Sequence, residues 1–158
     1  MIELPISADM LIEARDKAAA MGKLYNSITS GAGNIAGFIG EEIARQVLGG
    51  KLDNTYDYDL ILDGGVTIDV KTKQTSVTPI VTYECSIAKL NTTQRCDYYC
   101  FVRVKNDFTV GWYLGVYDKQ AYLADAVFMA KGTIDPSNKY TVKSDCYNLK
   151  ISQLKDRI

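Results

Sequence analysis

Asp69-Val70-Lys71 places a carboxylate and an ammonium two residues apart in a run, Val66 to Lys73, whose polarity alternates as in a strand. Side chains two apart on a strand share a face. Asp69 and Lys71 are therefore expected side by side, with Ile68, Val70 and Thr72 turned the other way. A second acid, Asp59, lies across the turn signal Asp63-Gly64-Gly65, and hairpin pairing can carry it to Asp69. Asp57 competes with Asp59, because the two would share a face. Upstream, Glu41 and Glu42 follow Gly37-Phe38-Ile39-Gly40 in a helical pattern. Those two glycines permit close helix–sheet approach, which would bring a glutamate to the strands. Two or three convergent carboxylates suit Mg²⁺ or Mn²⁺. A lysine beside such a metal can polarise water or neutralise charge on a phosphorane-like transition state. A lone Asp-x-Lys on a strand is usually a solvated charge pair worth little. The β-branched neighbours, the earlier acid and the Gly-rich helix lift this one above that background.

The rest of the composition narrows the chemistry. The chain has 158 residues and no histidine. That excludes Ser-His-Asp and Cys-His catalysis, histidine-bearing zinc sites and histidine-metal nucleases. No phosphate-cradling glycine motif occurs, so no nucleotide cofactor is expected. Cys85, Cys96, Cys100 and Cys146 form no CxxC pair, and reduced thiols buried in the core are expected. The first ten residues lack a basic segment followed by an apolar one, and no apolar run nears the length of a bilayer span. An intracellular, cytoplasmic protein with no membrane contact is the expectation. Lys and Arg number 18 against 19 Asp and Glu, a balance that argues against a dedicated nucleic-acid binder.

The elements that must position these residues can be read from periodicity. Residues 7–22 read as a helix, 26–33 as a Gly/Ser-rich tether, and 34–48 as a second helix stopped by Gly49-Gly50. Strands are expected at 55–62, 66–73, 80–87, 97–104 and 108–117, a helix at 118–130 capped by Asp118, and a short strand near 140–143. A helical turn is expected at 152–156. The length supports a single domain over 1–158. Within it, 1–33 would be an appended helix and linker, 34–130 the core, and 131–158 a C-terminal strand and tail. The fold class is α/β or α+β, with a central mixed sheet flanked by helices.

At Gly40-Glu41, Tyr58-Asp59-Leu60-Ile61 and Asp69-Val70-Lys71-Thr72, the chain resembles the PD-(D/E)XK nuclease superfamily, the restriction-endonuclease-like fold. Asp97 to Val102 looks like the later core strand. Gly111 to Gly115 and Ala121 to Ala130 resemble the strand and helix that complete the α-β-β-β-α-β core in small phage-type and Holliday-junction-resolvase-like members. Tyr58 stands where the superfamily's nominal proline would precede the first Asp. The resemblance implies a Mg²⁺-dependent DNA endonuclease, with Mn²⁺ able to substitute. Asp59, Asp69 and the Val70 carbonyl would ligate the metal, and Lys71 would activate water or stabilise charge. Glu41 would serve a second metal or its water, with Glu42 the alternative.

Further residues could meet the nucleic acid. Lys73 and Gln74 continue the strand, while Lys89 and Arg95 lie in a polar loop suited to backbone contact; a plain surface loop is the competing account. The many tyrosines lie mostly in strand-like runs, which favours packing over base stacking. The chain is too short for a separate sequence-reading domain, so cutting would follow DNA structure or be low in specificity. A junction-resolving homodimer is one form of this. The alternatives are a catalytically silent nucleic-acid- or protein-binding module, and an unrelated interaction protein whose carboxylates are surface decoration.

Overall fold

The structure is a computed structural model that describes residues 1–21, 34–53, 55–136 and 139–158. Its centre is a pair of strands buried on both faces, β6 (Tyr98–Lys105) and β7 (Val110–Asp118). Their near-continuous apolar runs suit a sheet covered on both sides. Around them a six-stranded mixed sheet is ordered β1-β7-β6-β4-β3-β2, with β1 at Ile2–Pro5, β2 at Lys51–Leu52, β3 at Leu60–Ile61 and β4 at Thr67–Thr75. β4 and β6 run parallel, pairing Asp69 with Tyr99, Lys71 with Phe101 and Lys73 with Arg103. The other neighbours are antiparallel. The mixed α/β class read from the sequence is the class observed.

Each face has its own core. Helix α2 (Asn34–Leu48) covers one, burying Ile39, Ile43 and Ala44 against Ile68, Val70, Cys100, Val102 and Val104. Helix α1 (Ala8–Met21) lies on α2, and β1 forms the sheet edge beside β7. The N-terminal residues expected as an appended helix thus include a strand of the main sheet; the Gly/Ser tether at 26–33 lies outside the described residues. On the opposite face, Tyr99, Phe101, Trp112, Leu114 and Tyr122 pack with Cys85, Ile87 and Leu149. Those partners come from a small antiparallel sheet, β5-β9-β8, and from helix α3 (Lys119–Asp125). Its strands are β5 at Glu84–Ala88, β8 at Val127–Met129 and β9 at Cys146–Lys150. The four cysteines are free thiols.

Several boundaries differ from the sequence reading, for local reasons. The expected strand at 55–62 shrinks to Leu60–Ile61 because Thr55 Oγ1 accepts from the backbone N–H groups of Asp57 and Tyr58, at 3.1 and 3.0 Å. That side-chain turn competes with the ladder. The helix at 118–130 keeps its Asp118 cap, which accepts from Ala121 N at 2.9 Å, but ends at Asp125. Residues 127–129 instead pair with β9. The strand near 140–143 is reduced to a single Ile134–Thr141 bridge, and the C-terminal strand is Cys146–Lys150. The helical turn expected at 152–156 is a 3-10 turn at Ile151–Gln153.

Gly40 sets how close α2 lies to β4. A Cβ there would overlap the Thr72 side chain, whose hydroxyl is buried without a hydrogen-bond partner. Gly40→Ala should lower unfolding stability by a net ~1 kcal/mol or more, overpacking outweighing the gain in helix propensity. Thr72→Ala in the same chain should restore part of it, since that change forfeits no hydrogen bond. Urea unfolding of the two single variants and the double variant checks this; purely additive losses would refute the contact.

Candidate active site

The cluster forms where the β3–β4 ladder stops. Asp59 precedes β3, and its backbone N–H still donates to Ile68 O at 2.9 Å. One step further the backbone has turned away, and the Asp59 side chain takes over: Oδ2 accepts from Val70 N at 2.7 Å. Peptide groups two apart on a strand face the same side. The Val70 carbonyl therefore also opens towards the gap beyond β3. This geometry carries the Asp59 carboxyl to that of Asp69.

Asp69 is 2 % exposed. Lys71 Nζ lies 2.7 Å from its Oδ2, the one ion pair that reaches it among the described residues. That contact is not aligned as a hydrogen bond, and Oδ2 receives none. Beside Asp69, the Tyr99 hydroxyl is buried and likewise without a partner. Burial, with the Asp69 charge second, pushes the Asp59 carboxyl up to about 7 against the pull of the Val70 N–H. Two carboxyls this close resist sharing two negative charges. A cation, or a proton on Asp59, relieves them.

Lys71 is held from a second side. Its Nζ donates to Gln94 Oε1 at 3.1 Å, and Gln94 Nε2 donates to Tyr56 O at 2.8 Å. The Gln94 carbonyl in turn accepts from Lys119 Nζ, an ammonium that is 9 % exposed. Asp57 Oδ1 accepts from Arg95 N at 2.9 Å. Asp57 thus fastens the loop before β6, while Asp59 is the acid beside Asp69.

The two glutamates also separate. Glu42 accepts from Arg45 Nε and Nη2 at 2.7 and 2.6 Å and from Gln46 at 3.0 Å. That pairing with Arg45 holds its carboxyl below the usual range. Glu41 is half-buried on α2 next to Gly40. Among the described residues no three His, Cys, Asp or Glu side chains group closely enough to hold a metal ion. The acids brought together are Asp59 and Asp69, with Lys71.

Of the peripheral candidates, Lys73, Gln74 and Arg95 are exposed. Lys89 reaches Asp145 at 3.9 Å and the Phe128 ring at 5.7 Å. Gln94 belongs to the polar loop expected to meet a backbone, but its bond to Lys71 was not foreseen, nor were Lys119 and Arg103. Lys119 looked like an ordinary first-turn helix residue. Arg103 did leave a signal, as a cation inside the apolar run Tyr98 to Val104. No protein-family model matches the sequence, and no curated protein matches it. Fold and site together define a mixed α/β protein with two neighbouring carboxyls and a lysine at the end of a truncated strand pair. No helix among the described residues is long and apolar enough to cross a membrane.

The raised Asp59 carboxyl has a stability consequence whose sign is fixed. Between about pH 4 and about 7 the folded chain holds a proton that the unfolded chain has released. Stability of the metal-free protein should therefore fall as pH rises through that window and level off above it. Asn at this position can still accept from Val70 N–H. Asp59→Asn should flatten the slope and stabilise the protein at pH 8 by about 1 kcal/mol or more. Urea midpoints in EDTA between pH 4 and 8 measure it; an unchanged slope in the variant would assign the effect to another group.

Proposed function

We propose that the protein is a Mg²⁺-dependent DNA endonuclease that hydrolyses phosphodiester bonds, selecting DNA structure or acting with low sequence specificity. The observation that carries this reading is the Asp59–Asp69 pair with Lys71 beside it. The donor set fits the ion: Mg²⁺ takes one or two carboxylates and keeps several waters or phosphate oxygens. Lys71, 2.7 Å from Asp69 Oδ2, offsets the crowding of the two carboxyls from one side only, and a metal ion held between them would relieve the rest. Asp59 and Asp69 would hold the metal with the Val70 carbonyl as a third oxygen, and Glu41 would serve a second metal or its water. When bound, the ion supplies Lewis acidity towards phosphoryl oxygen and water, as Mn²⁺ also can.

The chain's own groups do the remaining work. The Val70 N–H fixes the Asp59 carboxyl, so the ligand set is oriented before the ion arrives. Lys71 neutralises charge at the phosphoryl group, and Gln94 keeps its ammonium from folding wholly on to Asp69. The arrangement needs no histidine, in keeping with the composition. The superfamily resemblance points the same way, with a restriction-endonuclease-like fold and a homodimer resolving branched DNA as its specific form.

Nicking of supercoiled, linear and four-way-junction DNA with Mg²⁺, Mn²⁺ or EDTA tests the reading. Cleavage should require the metal. Asp69→Ala and Lys71→Ala should each lower it by at least ~10²-fold, the scale of losing one charge-stabilising group. Gln94→Ala should produce a smaller loss at unchanged metal affinity. Cutting in EDTA, or by either of the first two variants at the wild-type rate, would refute the site. DNA binding without cleavage under all conditions would make the protein a silent binding module.

A further inference from the structure

The face of β4 that carries Asp69 and Lys71 continues to Lys73, and the parallel register sets Lys73 directly opposite Arg103 on β6. Like charges opposite one another on one sheet face repel. Arg103 is 7 % exposed, whereas Lys73 is exposed, so the buried member of the pair is the one that solvent screens poorly. Desolvation and the Arg103 guanidinium both lower the Lys73 ammonium. Arg103 Nη2 donates to Glu84 O at 2.9 Å, and the guanidinium lies 5.5 Å from the Tyr83 ring centroid. Among the described residues no carboxylate forms an ion pair with it. A buried cation without a counter-ion is costly unless something else supplies the charge.

These groups line one cleft of about 60 Å³ between β4, β6 and β5. Lys71, Lys73 and Arg103 face it, against the single carboxylate of Glu84. Lys71 is already matched by Asp69. Burial, with Asp135 next, raises the Glu84 carboxyl, while Lys150 and Lys73 pull it down. The volume suits a few waters or one phosphate-sized group. A guanidinium fork beside an ammonium is the pairing that recognises phosphate. Along β4, Lys73 stands ~7 Å from Lys71 and ~13 Å from Asp69 at strand rise. An anion there is not the phosphate lying at the Asp59–Asp69 pair.

We propose that this cleft binds a non-scissile phosphodiester of the substrate through Lys73 and Arg103, so that the substrate strand tracks β4 from Asp69 towards Lys73. The polymer assignment rests on the nuclease reading; the anion site itself rests on buried Arg103, without an ion pair among the described residues, set opposite Lys73. It also answers the neutral overall charge, since two cations gathered in a cleft act where a diffuse excess does not.

Fluorescence anisotropy with a short labelled DNA duplex in EDTA tests the site apart from cleavage. Lys73→Gln should weaken binding several-fold and reduce the log–log salt slope by roughly 0.9, the value of one phosphate contact. Arg103→Lys, which keeps the charge but loses the fork, should also weaken it. Lys17→Gln on α1, across the sheet, should leave affinity and slope unchanged. Equal effects at Lys17 and Lys73 would reduce the observation to general charge and overturn the subsite. Wild-type cleavage that depends on Asp69, together with unaltered binding by Lys73→Gln, would overturn the subsite and leave the nuclease standing. Lys73-dependent binding with no cleavage under any metal would do the reverse. Inorganic phosphate bound through Lys73 by calorimetry, with no DNA affinity, would overturn the polymer assignment.

Discussion

The hydrogen bond from Val70 N to Asp59 Oδ2, at 2.7 Å, is the constraint on which the rest of the site depends. It stands where a backbone carbonyl would continue the β3–β4 ladder. By ending that ladder with a side chain, it delivers a carboxyl to the strand edge and satisfies a donor that would otherwise be buried and unpaired. The cost is electrostatic, since Asp59 is brought against a second buried carboxyl and rises to about 7. Lys71 offsets part of this from one side. Part of the imbalance remains, since the Asp69–Lys71 contact is not aligned as a hydrogen bond.

The surrounding fold supplies rigidity. β4 is pinned between the short β3 and the long parallel partner β6, with α2 pressed on one face through Gly40. Packing on that face is apolar and fixes the strand's rotation, so Asp69 and Lys71 must emerge on the other. There the small β5-β9-β8 sheet and α3 pack a second core and leave a cleft beside it, between β4, β6 and β5. Gln94 and Lys119 latch the loop leading into β6. A site held by backbone ladders and a latched loop loses little entropy when it binds. The same face carries two unlike electrostatic regions: the carboxyls of Asp59 and Asp69, and the cations Lys73 and Arg103.

Much of this was legible in the residues. The alternation through β4 gave its face assignment, because a period of two leaves no freedom once Ile68 and Val70 must be buried. The glycine pair at 64–65 specified the hairpin, and both residues do adopt positive φ, 91° and 85°. Helix α2 was bounded by its apolar period and by Gly49-Gly50. The strand at 55–62 was over-read, since Thr55 could as well bond its own neighbours as the ladder, and alternation does not reveal that choice. The helix at 118–130 was over-extended because Val127 and Met129 pair with a strand far away in the chain.

By itself, the sequence determined the chemistry available to this protein. With no histidine and with Asp59, Asp69 and Lys71 set around a hairpin, carboxylate and lysine chemistry is what a local pattern can specify, because hairpins and strand faces depend on near neighbours. Only the tertiary structure decided between Asp57 and Asp59, gave Lys71 its Gln94 partner and set Arg103 beside Lys73. Those outcomes depend on contacts between segments far apart in the chain, such as the parallel β4–β6 register. Residue types and spacing carry no record of such a register, which is fixed only when both faces of the sheet are packed at once.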